Sequence, residues 1–333
     1  MSKNLTRRLL LGWLLAVVPA VQAVWAQTPE LKKFALAGWS KPITEITHIL
    51  AEPDHGFFKE AGLALSYLPG AGGGDALRNL LSGQADIAFT DPGSFFAALD
   101  KGARLRAVYD IYPQNVFNVV TLADSGIREP ADLKGKRIGV YSLASGTRQN
   151  LQILLQHAGL SEDDVTIVVT GLLNFAPLMQ GRVDATAATD TGLALAKRRG
   201  LKPVHVMEVG QYLNYSSDLF VVREEDYQQN RDTLRRFLAA YRRSAQWMID
   251  DPQRAAQLAV RRAIDGQDIS LNEEIIRIRN RASESELTRS QGLGTLDPGS
   301  LQAAADAYHE LGLIRSKIEI SGVIATDLLA GRE

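Results

Sequence analysis

The stretch "GQADIAFTDPG", Gly83 to Gly93, runs an alternating apolar strand into a Thr-Asp pair and a Pro-Gly turn. It returns as "GRVDATAATDTG", Gly181 to Gly192. Each copy reads Gly, two residues, Asp, a short apolar run and Thr-Asp-x-Gly, with one extra residue in the second. Gly and Asp are common turn residues, so one copy alone means little. Two copies suggest two similar lobes. In open parallel sheets, ligands sit outside the carboxyl ends of strands. Thr90–Asp91 and Thr189–Asp190 therefore stand where a ligand would touch each lobe. The competing explanation is that both Asp residues only cap the helices that follow.

Around this pair the chain alternates strand-like and helix-like runs. "FALAGW", "LALSYLPG", "ADIAFTD", "LRAVYDIY", "FNVVTLAD", "RIGVYSL", "DVTIVVTG", "VDATAATD", "PVHVMEV" and "DLFVVRE" are rich in Val, Ile, Ala and aromatics, and turn residues bound most of them. In "SGTRQNLQILLQHAGL", Leu151, Leu154 and Leu155 have helical spacing and Gly159 is a stop. Such alternation predicts mostly parallel sheets covered on both faces. After Val222 the strands cease. "RDTLRRFLAAYRRSAQWMIDDPQRAAQLAVRRAI" and "DPGSLQAAADAYHELGLI" read as helices, the second with Asp297 or Ser300 at its start and Pro298 in its first turn. Tight strand successions at Tyr109–Val120 and Tyr212–Val222 imply two extended crossings, so that one lobe is inserted in the other. The expected division is 27–117 with 220–333 for lobe 1, and 118–219 for lobe 2. The helical section should pack on lobe 1. A continuous mixed sheet is the alternative.

The totals agree with a globular protein of more than one core. The chain has 333 residues, 45% apolar content and a formal net charge of -1. Nothing in that balance attracts nucleic acid or an anionic membrane. The absence of cysteine removes thiolate catalysis, iron–sulfur clusters and disulfides. Residues 1–26 read as a signal peptide: a basic start (Lys3, Arg7, Arg8), an apolar run from Leu9 to Val18, and Val24 and Ala26 placed for cleavage after Ala26. A membrane anchor is the alternative, but the run is shorter than a bilayer span. "TRRLLL" loosely resembles a twin-arginine export signal. No lipid-anchor cysteine follows, so an exported, soluble, periplasmic protein is expected.

Further candidates lie at other strand ends. "PGAGGGDALRNLLSG" places four glycines before a helix, and Gly72, Gly73 and Gly74 could offer N–H groups to an anion, although Asp75 could occupy that positive end itself. It matches neither a P-loop nor a dinucleotide fingerprint. In "SLASGTRQ", Ser145, Gly146 and Thr147 open a helix and suit an acceptor group. In "GWSKP", Trp39 beside Ser40 and Lys41 could stack on and pair with a small solute. Tyr112, Asn118, Tyr141, Asn174, Phe175 and Tyr215 occupy presumed cleft-side positions, with packing as the plainer role. There is no nucleophile elbow, and the five histidines, at 48, 55, 157, 205 and 309, have no metal-site spacing.

Taken together, "HGFFKEAGLALSYLPGAGGGDALRNLLSGQADIAF", "PADLKGKRIGVYSLASGT", "LMQGRVDATAA" and "FLAAYRRSAQWMIDDPQRAA" follow in an order that resembles the periplasmic solute-binding components of ABC importers for sulfonates, taurine, nitrate and thiamine-pyrimidine precursors. The resemblance implies a type II periplasmic-binding fold, an α/β protein whose two lobes hinge on two strand crossings. It implies contacts with a small-molecule solute at Trp39, Ser40, Lys41, the glycine loop, Thr90–Asp91, Ser145–Thr147 and Thr189–Asp190. It also implies a membrane permease and ATPase as partners, with no cofactor, no metal, no nucleic acid and a monomeric state. Relatives that synthesise a thiamine pyrimidine carry a cysteine-rich motif and a reactive histidine, which this chain does not match.

The expected function is non-enzymatic binding of a sulfonate, taurine-like compound, aromatic acid or pyrimidine. An exported lyase or synthase, or a sensory module, is the alternative. Asp91 and Asp190 would oppose an anion and favour an amine or ring N–H. A zwitterion, or an aromatic with amino and acceptor groups, satisfies both these acids and the helix N-termini.

Overall fold

The computed structural model describes residues 30–329, so the expected signal peptide lies outside the described residues. All ten strand candidates form strands: β1 (Lys32–Ala37), β2 (Leu63–Leu68), β3 (Ile87–Thr90), β4 (Leu105–Tyr112), β5 (Phe117–Leu122), β6 (Arg137–Val140), β7 (Thr166–Val169), β8 (Ala185–Thr189), β9 (Val204–Glu208) and β10 (Asp218–Arg223). They divide into two five-stranded sheets, ordered β2-β1-β3-β10-β4 and β7-β6-β8-β5-β9. Each sheet places the strand of the repeated motif third. β3 and β8 each have a parallel neighbour on one side (β1, β6) and an antiparallel one on the other (β10, β5).

The repeat has a physical basis. Asp86 N–H donates to the Ala35 carbonyl at 2.8 Å, and the Asp86 carboxylate accepts from Ala35 N–H at 2.7 Å. Asp184 does the same with Arg137, at 2.8 Å for both bonds. In each lobe this Asp ties the entry of the third strand to its parallel neighbour, where no ladder partner is available. The common "x-x-Asp" thus sets strand register, and the Thr-Asp that follows marks the strand's carboxyl end.

β4 leads to β5 and β9 leads to β10, so the chain passes between sheets at 113–116 and again at 209–217. The crossings lie side by side. Ser217 N–H donates to the Tyr112 carbonyl at 2.8 Å, Val116 N–H to Ser217 Oγ at 2.9 Å, and Asn115 Nδ2 to the Leu213 carbonyl at 3.0 Å. β10 then runs back between β3 and β4, completing the first sheet.

The helical section covers the first lobe, as its apolar spacing suggests. Phe237 and Tyr241, on the Arg231–Asp250 helix, pack on Phe34 of β1 and Phe220 of β10, each pair with ring centroids 4.6 Å apart. Asp297 caps the Pro298–Glu310 helix by accepting from Gly299 and Ser300 N–H. The Ile269–Ala282 helix does something further: it reaches the second lobe, where Arg198 Nη2 donates to Ser270 Oγ at 2.8 Å. Among the described residues no helix is long and apolar enough to cross a membrane.

Candidate functional site

A cavity of about 340 Å³ lies between the lobes, at the small end of the range of roughly 300–1,000 Å³ usual for small-molecule sites. Trp39, Gly72, Gly73 and Asp91 line it from the first lobe; Tyr141, Ser145, Gly146, Thr147, Asn174 and Thr189 line it from the second. Phe117 and Asp218, at the ends of the two crossings, complete it. The carboxyl ends of β3 and β8 therefore face one space, as the motif pair implies.

The lobes touch around this space. Gly74 N–H donates to the Ala144 carbonyl at 3.0 Å, Gln149 Nε2 to Ser94 Oγ at 2.9 Å, and Ser142 Oγ to the Ala71 carbonyl. Trp39 meets Tyr141 edge-on, with centroids 6.5 Å apart. The glycine loop is thus a lobe-to-lobe contact. Its helix N-terminus holds Asp75, whose carboxylate accepts from Ala71 N–H at 2.8 Å, in place of an external anion.

The two Thr-Asp tips differ because of the one extra residue. In the first, Asp91 is the N-cap, accepting from Ser94 N–H at 2.8 Å and Ser94 Oγ at 2.9 Å, and it also lines the cavity. In the second, Thr189 takes the cap position and the cavity wall, and Asp190 moves to the first helical turn, outside the cavity. Asp190 instead lies 3.1 Å from Arg279 Nη1.

Arg279 is the centre of a buried cluster joining the lobes. Only 1% of it is exposed. Its Nε donates to Glu45 Oε2 at 2.7 Å and its Nη2 to Thr191 Oγ1 at 2.9 Å, while Thr191 Oγ1 donates to Glu45 Oε1 at 2.6 Å. Burial opposes the guanidinium charge, but Asp190 and Glu45 hold it firmly protonated. That cation is already neutralised. The other cavity arginine, Arg199, is exposed.

Apart from the exposed Arg199, the charge left in the cavity is negative. Burial pushes the Asp91 carboxyl up to about 6. Asp218, 7% exposed, is raised well above the usual carboxylate range by burial and then by the nearby Asp91. Its carboxylate has no hydrogen bond or ion pair among the described residues. Behind it, burial lifts Asp110 to about 7, against a hydrogen bond from Ser216 Oγ at 2.6 Å.

These three groups set a pH dependence. Their folded-state values lie above the unfolded value of about 4, so between about pH 4 and 7 these three groups bind more protons in the native state than in the unfolded chain, against the opposite contribution of His48, which burial keeps neutral. The ligand-free protein should lose stability as pH rises through this window. Below it, stability should also fall, because Asp54, Asp184 and Glu224 are held low by hydrogen bonds from Arg262, Arg137 and Arg106 respectively. Thermal denaturation from about pH 4.5 to 8 should show a melting temperature that declines steadily. A flat or rising profile would mean that the three carboxyls are too well solvated to outweigh the neutral His48.

Six expected contacts stand outside the cavity. Ser40 is fully buried, its Oγ donating to the Lys41 carbonyl at 2.8 Å, and Lys41 points to solvent. Thr90 is covered by the glycine loop, since a Cβ on Gly73 would meet its Oγ1 at 2.6 Å. Asn118 follows Phe117 on β5 and so takes the opposite face, toward a groove with Lys197 and Glu208. Tyr215 is buried against Tyr308, with the hydroxyls 2.8 Å apart. Asp190 belongs to the Arg279 cluster. Ser145 and Thr147 do line the cavity, yet their hydroxyls serve the loop: Ser145 Oγ donates to the Ser142 carbonyl at 2.7 Å, and Thr147 Oγ1 accepts from Tyr141 N–H at 3.0 Å. Of the wider set of cleft-side candidates, Asn174 lines the cavity, whereas Tyr112 and Phe175 are core residues.

Sequence reasoning missed Asp218, Glu45 and Arg279. Arg279 left a readable signal, because it shares a helix face with Asn272, Ile275 and Ile276, all buried, where a charge is out of place. Asp218 left none, as an Asp at the start of a strand is ordinary.

A family model described as NMT1/THI5 like matches residues 43–255, more than half of the chain. The chain is 23% identical over 249 residues to the riboflavin-binding protein RibY of Chloroflexus aurantiacus, covering 74% of this chain and 70% of that one. It is 25% identical over 235 residues to the 4-amino-5-hydroxymethyl-2-methylpyrimidine phosphate synthase THI12 of Saccharomyces cerevisiae, covering 66% and 68%. The solved alkanesulfonate-binding protein SsuA of Xanthomonas axonopodis pv. citri, bound to MOPS, shares the fold with a TM-score of 0.70 at 17% identity, covering 89% of this chain and 99% of that one. The architecture is therefore that of the periplasmic-binding proteins.

Proposed function

Because the chain belongs to the NMT1/THI5-like family, with a periplasmic-binding-protein fold, we propose that it is the periplasmic solute-binding component of an ABC importer. It binds one small organic solute between its lobes and delivers it to a membrane permease with an ATPase. The observation that carries this reading is the cavity itself, walled by both lobes and by the crossings between them. Cavity walls drawn from two bodies couple occupancy to closure: a solute that touches both favours the closed form by its differential affinity for it. In this reading the two bodies are 27–117 with 220–333, and 118–219, hinged at the crossings. Among the expected contacts, Trp39, Gly72, Gly73, Asp91, Tyr141, Ser145, Gly146, Thr147 and Thr189 remain the contact set, and Asp218 joins them.

A second reading has one observation in its favour, the synthase name carried by the yeast relative. Against it, the chain has no cysteine, and His48, the buried histidine of the first lobe, is bonded to Tyr241 Oη at 2.9 Å and pushed down to about 3 by burial. A neutral core imidazole is no reactive base.

The test is recovery of the solute. Protein purified from the periplasm and denatured should release one small organic molecule, identified by mass spectrometry and chemically unchanged after long incubation. Cells lacking the gene should take that molecule up more slowly. Conversion of the solute by the protein, or undiminished uptake, would remove the importer reading.

A further inference from the structure

Resting on the cavity as the solute site, the polarity of its walls goes further and points to the class of solute. Asp91 and Asp218 are 4% and 7% exposed and line the same 340 Å³ space, with Asp218 lacking any protein partner among the described residues. A buried carboxylate without a donor is costly, and burial has already driven both groups up toward protonation. The arginine nearest to them is bound by Glu45 and Asp190. Lys41, the cation expected to receive an anion, is on the surface.

The start of the Gly146–His157 helix comes from the other lobe and packs against Asp91, where a Cβ on Gly146 would lie 3.3 Å from Asp91 Cβ. The Gly146 and Thr147 N–H groups have no acceptor among the described residues, so this end offers donors. Trp39, Phe117 and Tyr141 bring aromatic surface to the same cavity. Their rings suit a flat solute and, through their faces, a positive one.

We infer that the cavity selects a small planar nitrogen compound, one that presents N–H donors or a positive charge to Asp91 and Asp218 and an acceptor to the Gly146–Thr147 helix end, and that it discriminates against sulfonates. The chemistry is that of charge-assisted hydrogen bonds. A sulfonate placed against Asp218 meets a like charge, and of the two cavity arginines Arg279 is already paired while Arg199 is exposed, where solvent screens it. Placed at the helix end, it leaves Asp218 unmet.

The experiment uses the full-length mature protein, stripped of bound solute by unfolding and refolding. Titration calorimetry is run with 4-aminopyridine and benzamidine, planar cations at neutral pH, and with benzenesulfonate, an anion of similar size. Both cations should bind at least about tenfold more tightly than the sulfonate. Asp218→Asn, which keeps the shape and breaks no protein bond, should weaken them roughly 10- to 100-fold and leave the melting temperature of the stripped protein unchanged or higher. Stronger binding of the sulfonate, failure of both cations to bind, or an unaltered affinity in Asp218→Asn overturns the inference. Recovery of each probe unchanged keeps the receptor reading separate: a consumed probe would sink that reading while leaving the charge preference standing.

Discussion

Arg279→Met should lower stability by about 3–5 kcal/mol. The size follows from what is left behind. Glu45 and Arg279 have side chains 12% and 2% exposed, so removing the cation strands a carboxylate that water hardly reaches. Thr191 Oγ1 loses one partner and Asp190 its counter-ion. The melting temperature should fall on the order of 10 °C. Glu45→Gln added to Arg279→Met removes the orphaned charge as well, so the double variant should regain roughly 1–2 kcal/mol over the single one. A fall of under about 2 °C in the single variant, or strict additivity in the pair, would show that solvent screens the cluster.

The cluster also bears on how the lobes move. Glu45 and Arg279 belong to the first lobe and its helical section, whereas Asp190 and Thr191 open a helix of the second. The Arg279–Asp190 ion pair and the Arg279–Thr191 hydrogen bond cross the cleft, which ties closure to desolvation: opening rehydrates the guanidinium, and closing requires these contacts to be remade. The small contribution expected of a buried pair relative to an apolar one makes it a device of geometry more than of net stability. It fixes which faces of the two lobes meet.

Much of this was legible in the sequence. Strands and helices were readable because apolar alternation and Gly, Pro and Asp punctuation are local signals. The duplicated architecture was readable from Asp86 and Asp184, whose shared role in bridging to the neighbouring strand leaves the same spacing in both lobes. The site was only half readable. One inserted residue in the second copy hands the cap to Thr189 and turns Asp190 away, and a one-residue shift of that kind changes which side chain faces a cleft without changing the motif. Asp218 owes its depth to the return of β10 between β3 and β4, a pairing across more than a hundred residues that no local pattern encodes. The glycine loop was visible as glycine, but the backbone that requires it belongs to residues 144–145.

That last contact yields the second large effect: Gly72→Val should hold the lobes apart. Gly72 has φ +125°, a region that L side chains rarely adopt, and a Cβ there would overlap the Ala144 carbonyl oxygen and lie 2.9 Å from Ser145 Cα. Both obstacles are backbone of the opposite lobe, so no rotamer change relieves the clash and the loops must separate. Separation breaks the Gly74–Ala144 hydrogen bond and opens the cavity wall. If the closed form is disfavoured by about 3 kcal/mol, apparent affinity for 4-aminopyridine drops more than about 100-fold, since only the closed fraction binds tightly. Small-angle scattering should show a larger radius of gyration than the parent, and the far-ultraviolet dichroism should be unchanged. Gly83→Ala separates this from mere backbone strain: Gly83 has φ +76° but nothing within 4 Å of an added Cβ, so it carries the conformational cost without the collision. That control should keep parental affinity and dimensions. Equal loss in both variants would assign the effect to strain, and near-parental binding by Gly72→Val would mean that closure does not require the two loops to touch.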